Sequence, residues 1–355
     1  MSRNPDVAMA VLNWGLGHAT RSAHLLSRLE NMGYFPLIVS SGAALKWLSS
    51  QFPHLPTIEL SDPDIRYGKH RGDLWWNLFQ RGPAFLRRLQ EEKACARQLF
   101  TTYPGLQFCI SDHCLGFYHP EKPSVLVAHQ LHLPVRWPGL PFFYQNMLKP
   151  FQQIWVPDVA VSPGWSGKLS HPSPFPEKTH YIGLLPHFRE TLLPPKQVLI
   201  LLSGPEPQRS LLEEAIVAHW PENFSLPVTC IRGTDLPSST IFPENWTILH
   251  RASSEEVSEN LRMAAGIIGR NGYTTLMDLA QVPLPALFIP TPGQPEQAYL
   301  AQLHASHPFW NHMEQHQITQ IGLKNWLASL PSHRPDLDQQ ELSNPDLSAL
   351  IAKLI

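Results

Sequence analysis

Three glycine-bearing segments each follow a short apolar run, and each carries side chains suited to handling protons or anions. The first is Asn13-Trp14-Gly15-Leu16-Gly17-His18-Ala19-Thr20-Arg21. Gly15 and Gly17 allow a backbone to approach a ligand closely, and the helix start beyond them favours negative charge near Thr20 and Arg21. His18 stands where a neutral imidazole can take a proton from a hydroxyl; the plain alternative is a helix-start histidine that only packs. The second segment is Ser203-Gly204-Pro205-Glu206-Pro207-Gln208-Arg209. Ser203 and Gly204 offer a hydroxyl and an N–H to a phosphate, and Arg209 a positive charge. A proline-rich turn with a helix-start arginine is the alternative.

The third segment carries the most information. Gly269-Arg270-Asn271-Gly272-Tyr273-Thr274-Thr275-Leu276-Met277-Asp278 reads as a strand end, a glycine turn and a helix start. Exposed N–H groups at Gly272–Thr275, with two hydroxyls, make an anion site fit for a diphosphate. Asp278 lies four residues after Thr274, on the same helical face, where a carboxylate can accept from ribose hydroxyls. Glu296 and Gln297 open a further helix and can bond sugar hydroxyls.

These segments need a scaffold that brings strand ends and helix starts together. In the first half, Val7–Leu12 reads as a strand, and Leu25, Leu26, Leu29 and Met32 share a helical face that Gly33 ends. Strands follow at Pro36–Ser40, Phe108–Ser111, Ser124–Ala128 and Gln153–Val156, with a helix near Phe85–Thr101. The second half repeats the scheme: strand Val198–Leu202, helix Arg209–His219, strands Val228–Ile231 and Thr247–Leu249, helix Ser254–Ala264, strand Gly266–Ile268, helix Thr274–Ala280 and strand Ala286–Ile289. Alternating strands and helices imply an α/β fold with parallel sheets covered on both faces, and such sheets bind ligands at the carboxyl ends of their strands.

Prolines 186, 194 and 195 crowd the boundary, so the expected division is residues 1–185, residues 186–335, and a tail helix within 336–355 that packs back on the first domain. Asn344 is the expected cap of that tail helix. With 355 residues the chain suits two domains, and 43% hydrophobic content supplies two cores. A net charge of −2 without a basic block argues against nucleic acid as a partner. The four cysteines form no C-x-x-C pair, which fits free thiols in a reducing cytoplasm. No signal peptide is expected, and with no apolar run of about 18 residues no membrane span is expected either.

Together the motifs resemble the GT-B glycosyltransferases, and among them those related to MurG of family 28. GLGHATR at Gly15–Arg21, GRNGYTTLMD at Gly269–Asp278 and PGQPEQ at Pro292–Gln297 carry the likeness. SDHCLGFY at Ser111–Tyr118, AHQLHLP at Ala128–Pro134, WVPD at Trp155–Asp158, SGKLSHP at Ser166–Pro172 and LSGPEPQR at Leu202–Arg209 narrow it to a bacterial branch of glycosyltransferases. The resemblance implies two Rossmann-like domains whose sheets face a central cleft. It gives the second domain to a nucleotide-sugar donor, with UDP as the expected nucleotide, and the first to an acceptor.

By that resemblance Gly272–Thr275 holds the diphosphate and Arg270 and Asn271 belong to the donor site. Asp278 meets the ribose where relatives commonly carry Glu, and Glu296 and Gln297 touch the sugar. His18 is then the base that Asp112 orients, a buried carboxylate on one ring nitrogen fixing the tautomer. Asp112 acting directly is the alternative. His129 and Gln130 belong to the acceptor side. The expected reaction is inverting and needs neither metal nor cofactor beyond the nucleotide sugar.

Other features carry other readings. Asp62-Pro63-Asp64 matches the D-x-D of metal-dependent transferases but stands far from the donor half. His312-Met313-Glu314-Gln315-His316 places two histidines on one helical face without a third ligand. Trp75, Trp76, Phe79 and Phe85, interleaved with Arg71, Arg81, Arg87 and Arg88, suit the inner face of a membrane and a lipid-linked acceptor, or else simple packing. A UDP-sugar 2-epimerase and a non-catalytic nucleotide-sugar-binding subunit are the alternative functions. An NAD-dependent oxidoreductase lacks its acidic residue about 20 positions past the first loop, where Ser40 and Ser41 stand.

Overall fold

The first strand, β1 (Val7–Val11), contains only Val, Ala and Met, and every residue in it is buried. Such a run has no polar face, so it belongs inside a sheet covered on both sides. Helix α1 (Leu16–Asn31) follows and buries Ala19, Ala23, Leu25, Leu26 and Leu29 along one stripe. Each buried leucine contributes about 1.5–3 kcal/mol relative to exposure. The computed structural model describes residues 3–13, 16–60, 82–134, 139–186, 192–204, 206–280, 282–331, 333 and 346–355.

After α1 come β2 (Pro36–Ser40), α2 (Gly42–Gln51), β3 (Thr57–Glu59), α3 (Gly82–Thr102), β4 (Phe108–Asp112), β5 (Ser124–Val127), α4 (Leu140–Leu148), β6 (Gln153–Val156) and β7 (Thr179–Tyr181). All seven strands lie in one parallel sheet of order β3-β2-β1-β4-β5-β6-β7. The order reverses between β1 and β4, so this sheet has its switch point beside the end of β1, where α/β sheets take ligands.

A second parallel sheet repeats the plan. It is built from β8 (Gln197–Leu201), α5 (Gln208–Ala218), β9 (Val228–Ile231), β10 (Trp246–Leu249), α6 (Ser254–Met263), β11 (Ala264–Gly269), α7 (Tyr273–Leu279), β12 (Ala286–Phe288), α8 (Pro295–Leu303), β13 (Trp310–His312) and α9 (Gln320–Ala328). Its order is β10-β9-β8-β11-β12-β13, with the switch between β8 and β11. Val198, Ile200, Leu212, Ile216, Ile268, Leu323 and Trp326 share its core.

The described residues divide into two units. One holds those up to residue 60, from 82 to 186 and from 346 to 355; the other holds those from 192 to 333. Helix α10 (Leu347–Ala352) belongs to the first unit. Gln153 of β6 donates from Nε2 to Leu350 O at 3.0 Å, and Leu347 and Ile351 are buried. Its cap is Asp346, which accepts from Ser348 N at 2.9 Å. The expected cap, Asn344, lies outside the described residues.

Short elements such as α2, β3, α4, β7, β13 and α9 were not among those expected from periodicity. His312 ends β13 and Gln315–Gln317 form a 3-10 turn, so His312 and His316 do not share a helical face. The change of direction at Met313 and Glu314 breaks the period. Asp62, Asp64, Arg71, Trp75, Trp76, Phe79 and Arg81 lie outside the described residues. Of the remaining arginines in that stretch, Arg87 and Arg88 pair along α3 with Glu91 and Glu92 at 2.8 and 2.7 Å. The four cysteines are free. Among the described residues no helix is long and apolar enough to cross a membrane.

One close approach fixes the segment that follows β4. The N–H of Gly116 donates to buried Glu92 Oε2 of α3 at 2.7 Å, and a Cβ at Gly116 would stand 2.2 Å from Leu89 O. The Gly116→Ala protein is therefore expected to lose about 1–3 kcal/mol of stability through forced displacement of α3. A urea midpoint equal to that of the unaltered protein would contradict the contact.

Candidate active site

Asp112 is the last residue of β4, with Val11 of β1 and Val127 of β5 as its register partners. It stands at the switch point and is fully buried. A carboxylate in that position must be matched by donors or a cation. Both come mainly from α1, because His18, Arg21 and Ser22 lie within its first two turns.

Arg21, 1% exposed, forks onto Asp112: Nε donates to Oδ2 at 2.8 Å and Nη2 donates to Oδ1. Ser22 Oγ donates to Oδ2 at 2.8 Å. His18 Nδ1 lies 3.0 Å from Oδ1 and 2.8 Å from Arg21 Nη2. Arg21 Nη1 reaches His129 Nδ1 at 3.1 Å, just past the end of β5. His113 packs its ring edgewise on His18, centroids 5.4 Å apart, and lies 5.9 Å from His129. One arginine, one aspartate and three imidazoles therefore form a single network.

The electrostatics follow from burial and from Arg21. Burial alone pushes the Asp112 carboxyl up; the Arg21 guanidinium, aided by His18, overrides this and holds it far below the usual carboxylate range. His18 is lowered from its ordinary value of 6.5 by burial and then by Arg21, while Asp112 pulls the other way. His113 falls well below 6.5 through burial, with His18, Arg21 and His129 adding to it. The His18 and His113 imidazoles are thus neutral near pH 7.

One proton decides what His18 can do. With the hydrogen on Nδ1, the ring donates to Asp112 and leaves a lone pair on Nε2, the form a general base needs. With it on Nε2, Nδ1 accepts from Arg21 instead. A cation fits the cluster poorly. One ligand atom each from His18, Asp112 and His113 lies within 4.8 Å of the others, but the Arg21 guanidinium is bonded among them.

The other first-loop residues are placed as follows. Gly15 lies outside the described residues, Gly17 is in the first turn of α1, and Thr20 Oγ1 donates back to Gly17 O at 3.1 Å. Gln130 is partly exposed and its carbonyl accepts from Tyr144 Oη at 2.7 Å. His113 and Ser22 were missed in the sequence, although each adjoins a residue singled out there.

In the second unit, Ser203 and Gly204 are exposed after β8, Gly204 at φ 97°. Arg209 is taken up by other groups: Nε donates to Glu206 Oε1 at 2.6 Å and Nη1 to Glu213 Oε2 at 2.9 Å. Glu213 also accepts from Arg232 Nε at 2.7 Å, and this buried trio was not foreseen. Arg270 differs. It donates to the carbonyls of Ile289, Pro290 and Gln208 at 3.0, 3.1 and 2.7 Å and to Gln315 Oε1 at 2.9 Å. Burial lowers its pKa to about 9, and no ion pair involves it among the described residues.

Asn271 Nδ2 donates to Gln297 O at 2.6 Å, and Gln297 Oε1 accepts from Thr291 N at 2.7 Å. Arg270 Nε and Asn271 Oδ1 are buried without hydrogen-bond partners among the described residues. Gly272 begins α7 with φ −63° and ψ 148° and no side-chain cap. Tyr273 is buried, whereas Thr274, Thr275 and Asp278 of α7 and Glu296 of α8 are partly exposed. The turn after β11 and the start of α8 are thus bonded to each other.

No family model and no curated protein matches the chain. Solved structures do. The glycosyltransferase of kitacinnamycin is 12% identical with a TM-score of 0.64, over 93% of this chain and 91% of that one. Arabidopsis thaliana UGT89C1, solved with UDP-L-rhamnose, is 12% identical with a TM-score of 0.63, over 99% of each chain. Acinetobacter baumannii MurG is 13% identical with a TM-score of 0.54, over 99% of each chain. At these identities the likeness is one of fold: two Rossmann-like units of the GT-B class.

The lowered histidines and Asp112 give stability a definite pH dependence. His18 and His113 lie below 6.5, and burial brings His307 and His312 to about 4, so below pH 6.5 the unfolded chain binds protons that the folded one does not. Stability is therefore fully present above pH 6.5 and is lost as pH falls toward 4. His113 has φ 57°, which Asn tolerates. Thermal unfolding midpoints between pH 4.5 and 7.5 should rise with pH, and more shallowly in His113→Asn; an equal slope in the variant would contradict the assignment.

Proposed function

We propose that the chain is an inverting glycosyltransferase that moves a sugar from a nucleoside diphosphate, with UDP the first candidate, to a hydroxyl of a small-molecule acceptor. The single observation that carries this is His18 Nδ1 at 3.0 Å from the buried carboxylate of Asp112, at the switch point of a GT-B-type first sheet. In that role His18 Nε2 takes the acceptor proton as the acceptor oxygen attacks the anomeric carbon, and the nucleoside diphosphate leaves from the opposite face. One displacement inverts the configuration.

The second unit has the chemistry to hold the leaving group. Departure adds negative charge to a diphosphate, which backbone N–H groups at Gly272–Thr275 and the cation of Arg270 are suited to offset. Asp278 is in the role of ribose acceptor, and Glu296 and Gln297 in that of sugar contacts. Binding of UDP-L-rhamnose by the Arabidopsis neighbour supports a nucleotide-sugar donor. Charge offset of this kind replaces the divalent ion that metal-dependent transferases use. The proposed setting is the cytoplasm, and a lipid-linked acceptor at the inner membrane face is the variant reading of the acceptor.

Incubation with UDP-, GDP- and dTDP-sugars across an acceptor panel, with detection of released nucleoside diphosphate, tests the reading. Release is expected only when donor and acceptor are both present. His18→Ala should lower turnover about 10²–10⁴-fold while calorimetric binding of the donor nucleotide is unchanged. Full turnover by His18→Ala would remove the base assignment, and conversion of a UDP-sugar without acceptor would favour the epimerase.

A further inference from the structure

Arg21 has a position unlike that of a substrate-binding arginine. Fully buried arginines are rare, and the guanidinium of this one has no exposed face with which to meet an acceptor. Its three nitrogens are all engaged: Nε and Nη2 fork onto the two oxygens of Asp112, and Nη1 reaches His129. A fork fixes the plane of the carboxylate it holds, which a lysine ammonium, as a point charge, cannot do. Oδ2 also receives Ser22, which leaves Oδ1 as the oxygen facing His18.

We infer that Arg21 is the positioning residue of the first-unit site, holding Asp112 so that Oδ1 orients the His18 ring and, through Nη1, setting His129 as a second imidazole beside it. This rests on the reading of His18 as the base. Arg21 meets no reacting atom itself; it acts through Asp112 and His129.

A consequence concerns the charge of the site. The groups facing His18 are Arg21 from α1, Asp112 and His113 from the end of β4, and His129 from the segment after β5. Arg21 cancels the charge of Asp112, so the network is neutral when the imidazoles are neutral. A His18 imidazolium gains little from a carboxylate that is already paired. The base therefore stays unprotonated into mildly acidic solution. Without Arg21 the Asp112 charge acts on His18 alone and favours its protonated form.

Five full-length variants separate the outcomes: Arg21→Lys, Arg21→Met, Asp112→Asn, Arg21→Met/Asp112→Asn and His18→Gln. Turnover per folded protein, donor KM and the pH profile of kcat/KM are read together with NMR titration of the His18 Cε1–H signal. Arg21→Lys keeps the charge but loses the fork. It should lower kcat about 100-fold, the scale of a misplaced reacting group, with donor KM unchanged. Arg21→Met should move both the acid limb and the His18 titration to higher pH.

Because Arg21→Met leaves Asp112 without its cation, the neutral double variant guards against loss of folding. Its activity should differ from that of Asp112→Asn alone by far less than Arg21→Met differs from the unaltered protein, since Arg21 acts on the His18 ring through Asp112 and only the His129 contact is lost besides. A merely structural Arg21 would lower the folded fraction without moving the acid limb or the His18 titration. Unaltered kcat and titration in Arg21→Lys and Arg21→Met overturn the inference. If His18→Gln is inactive in that case, the base reading stands and only the role of Arg21 falls; if His18→Gln is fully active, the base reading falls with it.

Discussion

A carboxylate with no exposure to water, at the end of a central strand, is the constraint around which the first unit is arranged. Asp112 gains nothing from its position unless donors and a countercharge meet it there. The helix after β1 begins beside the same switch point and brings His18, Arg21 and Ser22 to it at spacings of three and one residue. Parallel order and helix geometry thus decide which side chains meet. The apolar strands on either side keep the local dielectric low, and there a paired charge holds its geometry more firmly than in water.

Buried guanidinium groups are held in two ways. Arg21 is matched by Asp112, and Arg209 and Arg232 are matched by Glu206 and Glu213, so their charges are internally offset. Among the described residues Arg270 meets only carbonyl and amide oxygens, which orient an N–H but do not neutralise a cation. Its pKa is lowered to about 9, the cost of holding that charge without a carboxylate. The same side chain links the start of α5, the loop after β12 and the turn after β13. A residue that joins these segments and retains net charge suits a site that receives an anion.

Much of this was legible in the sequence because the signals are local. Strands such as Val7–Val11 and the stretch 198–201 of β8 are unbroken apolar runs between loop residues, and glycine turns mark where strand ends fall. His18 and Asp112 were legible as a pair only through the resemblance to a family, since their meeting depends on register between β1 and β4. The part played by Arg21 was not legible. In sequence it follows a glycine loop and reads as a phosphate ligand; only the depth of α1 against the sheet turns it inward. Arg209 presents the same difficulty, because Glu213 lies one turn further along the same helix and takes its charge. Short elements such as β7 and β13 gave no periodic signal over three residues and depend on their neighbours in the sheet.

The base role of His18 depends on which of its nitrogens carries the proton. Nitrogen-15 NMR of histidine-labelled protein at pH 7, with His18 assigned by its replacement, observes this directly. A His18 base requires a neutral ring with the hydrogen on Nδ1, bonded to Asp112, and a bare Nε2. A hydrogen on Nε2, with Nδ1 accepting from Arg21, or a charged ring at that pH, would contradict it.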